Sequence, residues 1–170
     1  MLRPGDVLTH RFRPFPNCPL QADGRVKQAV LRARERGVLF DVGHGMGSFS
    51  WETARAMMAA EFPPDTIWSD VHALCIDGPA HDLLYTMTKF LAIGMPLVYV
   101  ITAATLTPAK AVRRDDLGHL SPGATGDVSI ISLDEQHVEL EDVLGETVPF
   151  HQNLISQGTV QGGKFVHAAQ

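Results

Sequence analysis

At 170 residues the chain is long enough for one domain with a real core and a small appendage. Hydrophobic residues at 45% and charged residues at 19% are ordinary globular proportions, which argues against a disordered chain. A formal net charge of −5, with no run of Lys and Arg to make a basic stripe, argues against nucleic acid as a partner.

Residues 1–5 hold Arg3 and Pro4 and lead at once into an apolar run, with no h-region or cleavage site of a signal peptide, so a cytoplasmic location is expected. Residues 6–10 (DVLTH) suit a short buried strand. Val26, Ala29, Val30 and Ala33 recur at helical spacing, and Gly37 stands where a C-cap belongs. Residues 38–42 (VLFDV) predict a second buried strand. Ser50 predicts the cap of a helix over 51–61, which Pro63 and Pro64 close. Residues 66–70 (TIWSD) predict a third strand, and Pro79 is expected to open a helix with Leu83, Leu84, Met87, Phe90 and Leu91 on one face. Further helices are expected over 97–105 and from Pro108. Gly94, Pro96 and Thr102 interrupt the longest apolar stretches, so none reaches the roughly 20 residues of a membrane span.

Strands alternating with helices imply parallel pairing and an α/β fold. After Gly118 the texture changes to short strand-like runs, 127–133, 137–140 and 159–166, that read as an antiparallel layer apart from the first. Cys18 and Cys75 are far apart and predict neither a disulfide framework nor a zinc knuckle.

Each predicted parallel strand finishes with an ionisable side chain at or just past its C-terminal end: His10, His44, and Asp70 with His72. Parallel sheets and barrels build their sites there. Imidazole and carboxylate suit a divalent metal, zinc in particular, and a carboxylate beside a metal site can also accept a proton. His10 and Asp70 are the best pair. The loop 43–48 (GHGMGS) lacks the P-loop lysine and the Rossmann acid, so its small residues are read as allowing close approach of backbone to substrate.

The strings GDVLTH, RGVLFDVGHGMGSFSWETA, PDTIWSDVH, LTPAKAV and LGHLSPGATGDVSI resemble the second half of the dihydroorotase-like and deacetylase-like amidohydrolases of bacteria. The resemblance implies a partial (β/α)8 TIM barrel, strands six to eight, over 1–117, and part of a composite antiparallel β-sandwich over 118–170. It implies hydrolysis of an amide or ester bond with two divalent ions in the intact protein. His10 would bind the more exposed ion, and Asp70 would bind the buried one and shuttle the proton. His44, Gly45 and Ser48 would face the substrate, and His72 would touch substrate or support the ligands. The family's His-x-His pair, its strand-four lysine and its strand-five histidine are not found in the chain, which leaves one histidine and one carboxylate of the expected set. Strong metal binding and activity by this chain alone are therefore not expected. Exposed barrel edges favour homo-oligomerisation or pairing with another chain, and a catalytically inert, partner-binding role is the competing expectation.

Overall fold

In a computed structural model residues 2–166 are described. Two parallel strands open it: β1 (Val7–Leu8) pairs with β2 (Leu39–Phe40) in the register Val7 to Leu39 and Leu8 to Phe40. The ladder continues past the formal strands, with parallel bridges Phe12 to Phe49 and Asp41 to Thr66. Backbone N–H groups of Val42, His44 and Gly45 donate to the carbonyls of Thr66, Trp68 and Ser69 at 3.1, 3.0 and 2.9 Å. The expected third strand is thus an irregular segment, 66–69, that follows the edge of 42–45. All three segments run in one direction, joined by α1 (Gln28–Glu35) and α2 (Trp51–Ala59).

Helix ends follow the residues that dictate them. The Ser50 hydroxyl accepts from Thr53 N–H at 3.2 Å at the start of α2. Gly37, at φ 86, turns α1 directly into β2. Pro79 does not start a helix. It lies in a turn-rich segment, and α3 (Leu83–Ala92) begins at Asp82, whose carboxylate accepts the Tyr85 N–H at 2.7 Å. An aspartate cap satisfies an orphan helix donor that a proline has no side chain to reach. Two short helices follow, α4 (Leu97–Ala104) and α5 (Leu106–Ala111).

The tail is antiparallel, as expected, but its strands are longer than their sequence pattern. β3 (Val128–Glu141) runs without a break through residues 134–136, which separate two of the predicted runs, with register shifts at Ile130/Ile131 and Glu135/Val138. It pairs with β4 (Thr147–Gln161), which pairs with β5 (Lys164–Val166). Bulges absorb the break in alternation without ending the ladder.

This hairpin is locked to the α/β part. Trp51 donates its ring N–H to the carbonyls of Leu140 and Glu146, both at 3.1 Å, and its backbone N–H to the Asp142 carboxylate at 3.0 Å. Phe12, Phe49, Trp51 and Phe90 form the centre of the core in edge-to-face contacts with centroids 5.1–5.7 Å apart. Leu140 and Leu154 join the same buried cluster.

Candidate active site at the carboxyl ends of the parallel segments

His10 and Asp70 are half-buried and adopt left-handed backbone, φ 62 and φ 50. Such angles are uncommon outside glycine, cost about 1–2 kcal/mol, and gather at functional sites. His10 Nδ1 lies 2.7 Å from the Gly43 carbonyl. A carbonyl only accepts, so Nδ1 carries a proton, and in the neutral ring Nε2 is the nitrogen with the lone pair. Among the described residues neither that Nε2 nor the Asp70 carboxylate has a hydrogen-bond partner.

Both side chains lean on the same three residues, 43–45. A β-carbon at Gly43 would meet the Thr9 hydroxyl first and sit 2.8 Å from His10 Nδ1, and one at Gly45 would sit 2.9 Å from Asp70 Oδ2. Both glycines also have positive φ, 48 and 47. The glycine loop is therefore a wall that only a residue without a side chain can provide, shared by the two ionisable groups.

Asp41 holds the rims of the three segments together. Its carboxylate accepts the hydroxyls of Thr9 and Thr66, each at 2.6 Å, from within the core. Burial pushes its pKa up, and the two hydroxyls pull it back. Asp41 is thus a strand-to-strand clasp.

His44, expected to face substrate, is fully buried and stacks on Phe49 at 5.1 Å. Its Nδ1 donates to the Gly45 carbonyl at 2.9 Å, and its Nε2 accepts from Lys89 Nζ at 2.7 Å. Burial, reinforced by the Lys89 charge, pushes its pKa down to about 3, so the ring is neutral. Both ring nitrogens are engaged, and the imidazole backs the loop that carries Gly45.

Lys89 is the residue that sequence reasoning passed over, read only as helical. It is fully buried on α3 and donates to His44, to the Pro79 carbonyl at 2.8 Å and to the Glu141 carbonyl at 2.5 Å. A lysine amid Thr86, Met87 and Phe90 on the apolar face of a helix was the available signal.

Ser48 is buried, and its hydroxyl accepts from Arg13 Nη2 at 3.2 Å. Arg13 Nε is buried without a partner among the described residues. Gly45 is buried in the wall itself, whereas His72 is exposed and its Nδ1 accepts the Leu74 N–H at 3.3 Å. Among the described residues no three His, Cys, Asp or Glu side chains gather as a metal site. A cavity of about 710 Å³ opens at the other end of the strands, lined by Arg3, Asp6, Val7, Leu39, Lys110 and Arg113. That is the end at which parallel sheets do not build their chemistry, and His10 and Asp70 take no part in it.

No family model matches the chain. Curated relatives do: a deacetylase of Agrobacterium fabrum is 33% identical over all 170 residues, and one of Brucella anthropi is 30% identical, the chain covering 42% of each. Among solved structures, an adenine deaminase superposes on 99% of the chain with a TM-score of 0.94 at 29% identity, and a dihydroorotase with 0.86 at 30%. The chain covers 46% and 45% of those two proteins. It thus spans less than half the length of the relatives it matches. The resemblance to dihydroorotase-like and deacetylase-like members of the amidohydrolase superfamily is met in sequence and in structure, with the extent expected of a C-terminal half.

Proposed function

We propose that this chain supplies the C-terminal half of a metal-dependent amidohydrolase. Residues 1–117 would be the last three strand-helix units of a (β/α)8 barrel, and 118–170 part of its flanking β-sandwich. The site at the strand ends would hydrolyse an amide or ester bond of a small molecule. The observation that carries this reading is the pairing of His10 and Asp70 on one glycine wall, each strained into left-handed backbone and each with its ligating atoms free among the described residues.

The donor set fits a divalent ion in kind but not in number. A neutral imidazole and a carboxylate suit zinc, yet a catalytic zinc takes three protein ligands, and the chain offers two. The remaining donors would come from polypeptide outside these residues. A zinc ion so held would supply Lewis acidity toward the carbonyl and a more acidic water. The chain's own residues would do the rest. The bond from His10 Nδ1–H to Gly43 fixes the tautomer that leaves Nε2 for the ion. Asp70 would accept the proton of the attacking water and deliver it to the leaving amine. Gly45 would let substrate approach the backbone, with Ser48 and His72 flanking it, and His44 would act through the loop it supports.

The test is metal removal from the complete protein. Chelation should abolish hydrolysis of an N-acetylated substrate, zinc should restore it, and His10→Asn, which tolerates left-handed backbone, should weaken zinc retention at least tenfold by metal analysis. Full activity in a protein shown to be metal-free would refute the reading.

A second reading, an inert partner-binding module, draws on the exposed apolar residues Trp68, Leu74, Ile76, Val98 and Tyr99. A metal-free oligomer in size-exclusion chromatography would favour it, and a monomer holding stoichiometric zinc would not.

A further inference from the structure

The geometry around Lys89 points to a proton-dependent switch: we propose that loss of one proton from its ammonium group reverses the tautomer of His44 and so moves the glycine wall beside Asp70. Three acceptors surround Nζ, namely His44 Nε2, the Pro79 carbonyl and the Glu141 carbonyl. An ammonium has three N–H donors and satisfies all three. A neutral amine has two donors and one lone pair, so one acceptor is left facing a lone pair. The two carbonyls can only accept, whereas imidazole can exchange its roles. The neutral amine therefore keeps both carbonyls, and His44 must carry its proton on Nε2 and donate it to Nζ.

That exchange reaches the site. With the proton on Nε2, His44 Nδ1 presents a lone pair to the Gly45 carbonyl it formerly held at 2.9 Å, and the attraction becomes repulsion. Gly45 is the residue against which the Asp70 carboxylate rests. The same amine also joins three parts of the molecule: α3, the segment after Asp70 through Pro79, and the hairpin through Glu141.

The proton balance is simple. Lys89 releases one proton to solvent, and the imidazole stays neutral while its proton passes from Nδ1 to Nε2. Burial pushes the Lys89 amine down to about 7, against the pull of the carboxylates of Asp142 and Glu141 on the hairpin. Tyr85, whose ring lies 4.6 Å from Nζ on the same helix, is pushed up by its own burial, and Glu139 and Glu141 lie near it. His81, from the segment after Asp70, is the other titratable group acting on His44. The effect on Asp70 chemistry rests on the function proposed above, but the switch itself does not.

Nitrogen-15 NMR of His44 and of the Lys89 amine from pH about 5.5 to about 9.5 tests it without any activity assay. At the acid end Nδ1 should be pyrrole-type and Nε2 pyridine-type. The two should exchange characters with the midpoint at which Lys89 Nζ titrates, and Lys89→Arg, which keeps its charge, should hold the first tautomer throughout. A His44 that retains its Nδ1 proton while Lys89 loses its own would overturn the proposal, as would a Lys89 that stays protonated over the whole range. The wild-type titration decides the matter even if the variant does not fold. Failure here with zinc-dependent hydrolysis intact would leave the proposed function standing.

Discussion

The clearest chemistry at the scale of single residues lies in how polar groups are used inside the core. Asp41 spends its carboxylate on two hydroxyls from neighbouring segments, and Lys89 spends its amine on three neutral acceptors. Neither is paired with an opposite charge, so each depends on hydrogen-bond geometry to offset desolvation. Replacing Asp41 by Ala should strand the Thr66 hydroxyl in the core and cost about 3 kcal/mol, with Asp41→Asn costing about half as much because one acceptor oxygen remains. Urea unfolding at fixed pH measures both, and two values within about 0.5 kcal/mol of wild type would show the clasp to be dispensable. His10 and Asp70 stood out in the sequence because they closed strand-like runs. Their left-handed backbone did not, since histidine and aspartate are only enriched at positive φ and which of them adopts it is set by tertiary packing.

Elements with a local cause were legible and those with a tertiary cause were not. Ser50 capping α2 and Gly37 turning α1 into β2 depend on residues within one turn, and the structure places both where the sequence puts them. The start of α3 was misplaced because Pro79 satisfies the local rule for a helix opening, whereas Asp82 supplies the acceptor that the helix uses. β4 was missed over most of its length because its pairing with β3 tolerates polar residues and Pro149 on a sheet that is largely exposed on one side. The glycine loop shows the same division. Its small residues were evident, but that Gly43 and Gly45 each receive a different ionisable side chain is a fact of packing. Gly45→Ala should combine a strained φ with a methyl 2.9 Å from Asp70 Oδ2, closer than such contacts run. We expect a loss of about 2 kcal/mol or more by urea unfolding, together with displacement of the Asp70 carboxylate. An alanine variant as stable as wild type would mean that the wall has room the structure does not reveal.

For the whole molecule, one buried cluster unites the parallel segments, the helices and the antiparallel hairpin, so the site stands on a continuous core. The chain covers 42% of two deacetylases it resembles, and under the function proposed above its two candidate ligands would be completed by other polypeptide. What was readable toward the proposed function follows the strand ends, where His10, His44 and Asp70 stand out in the sequence. No helix among the described residues is long and apolar enough to cross a membrane.

Substitution of Asp70 by Asn in the complete protein is the most direct test. Asparagine keeps the size of the side chain and tolerates the left-handed backbone, so only the charge and the proton acceptor are removed. Proton transfer of the proposed kind contributes typically about 10²–10⁴-fold, and the proposed metal ligand would be weakened as well, so kcat for the acetylated substrate should fall by about 10³-fold or more while the thermal midpoint stays within roughly 3 °C. Turnover close to wild type in a folded Asp70→Asn protein would contradict the account.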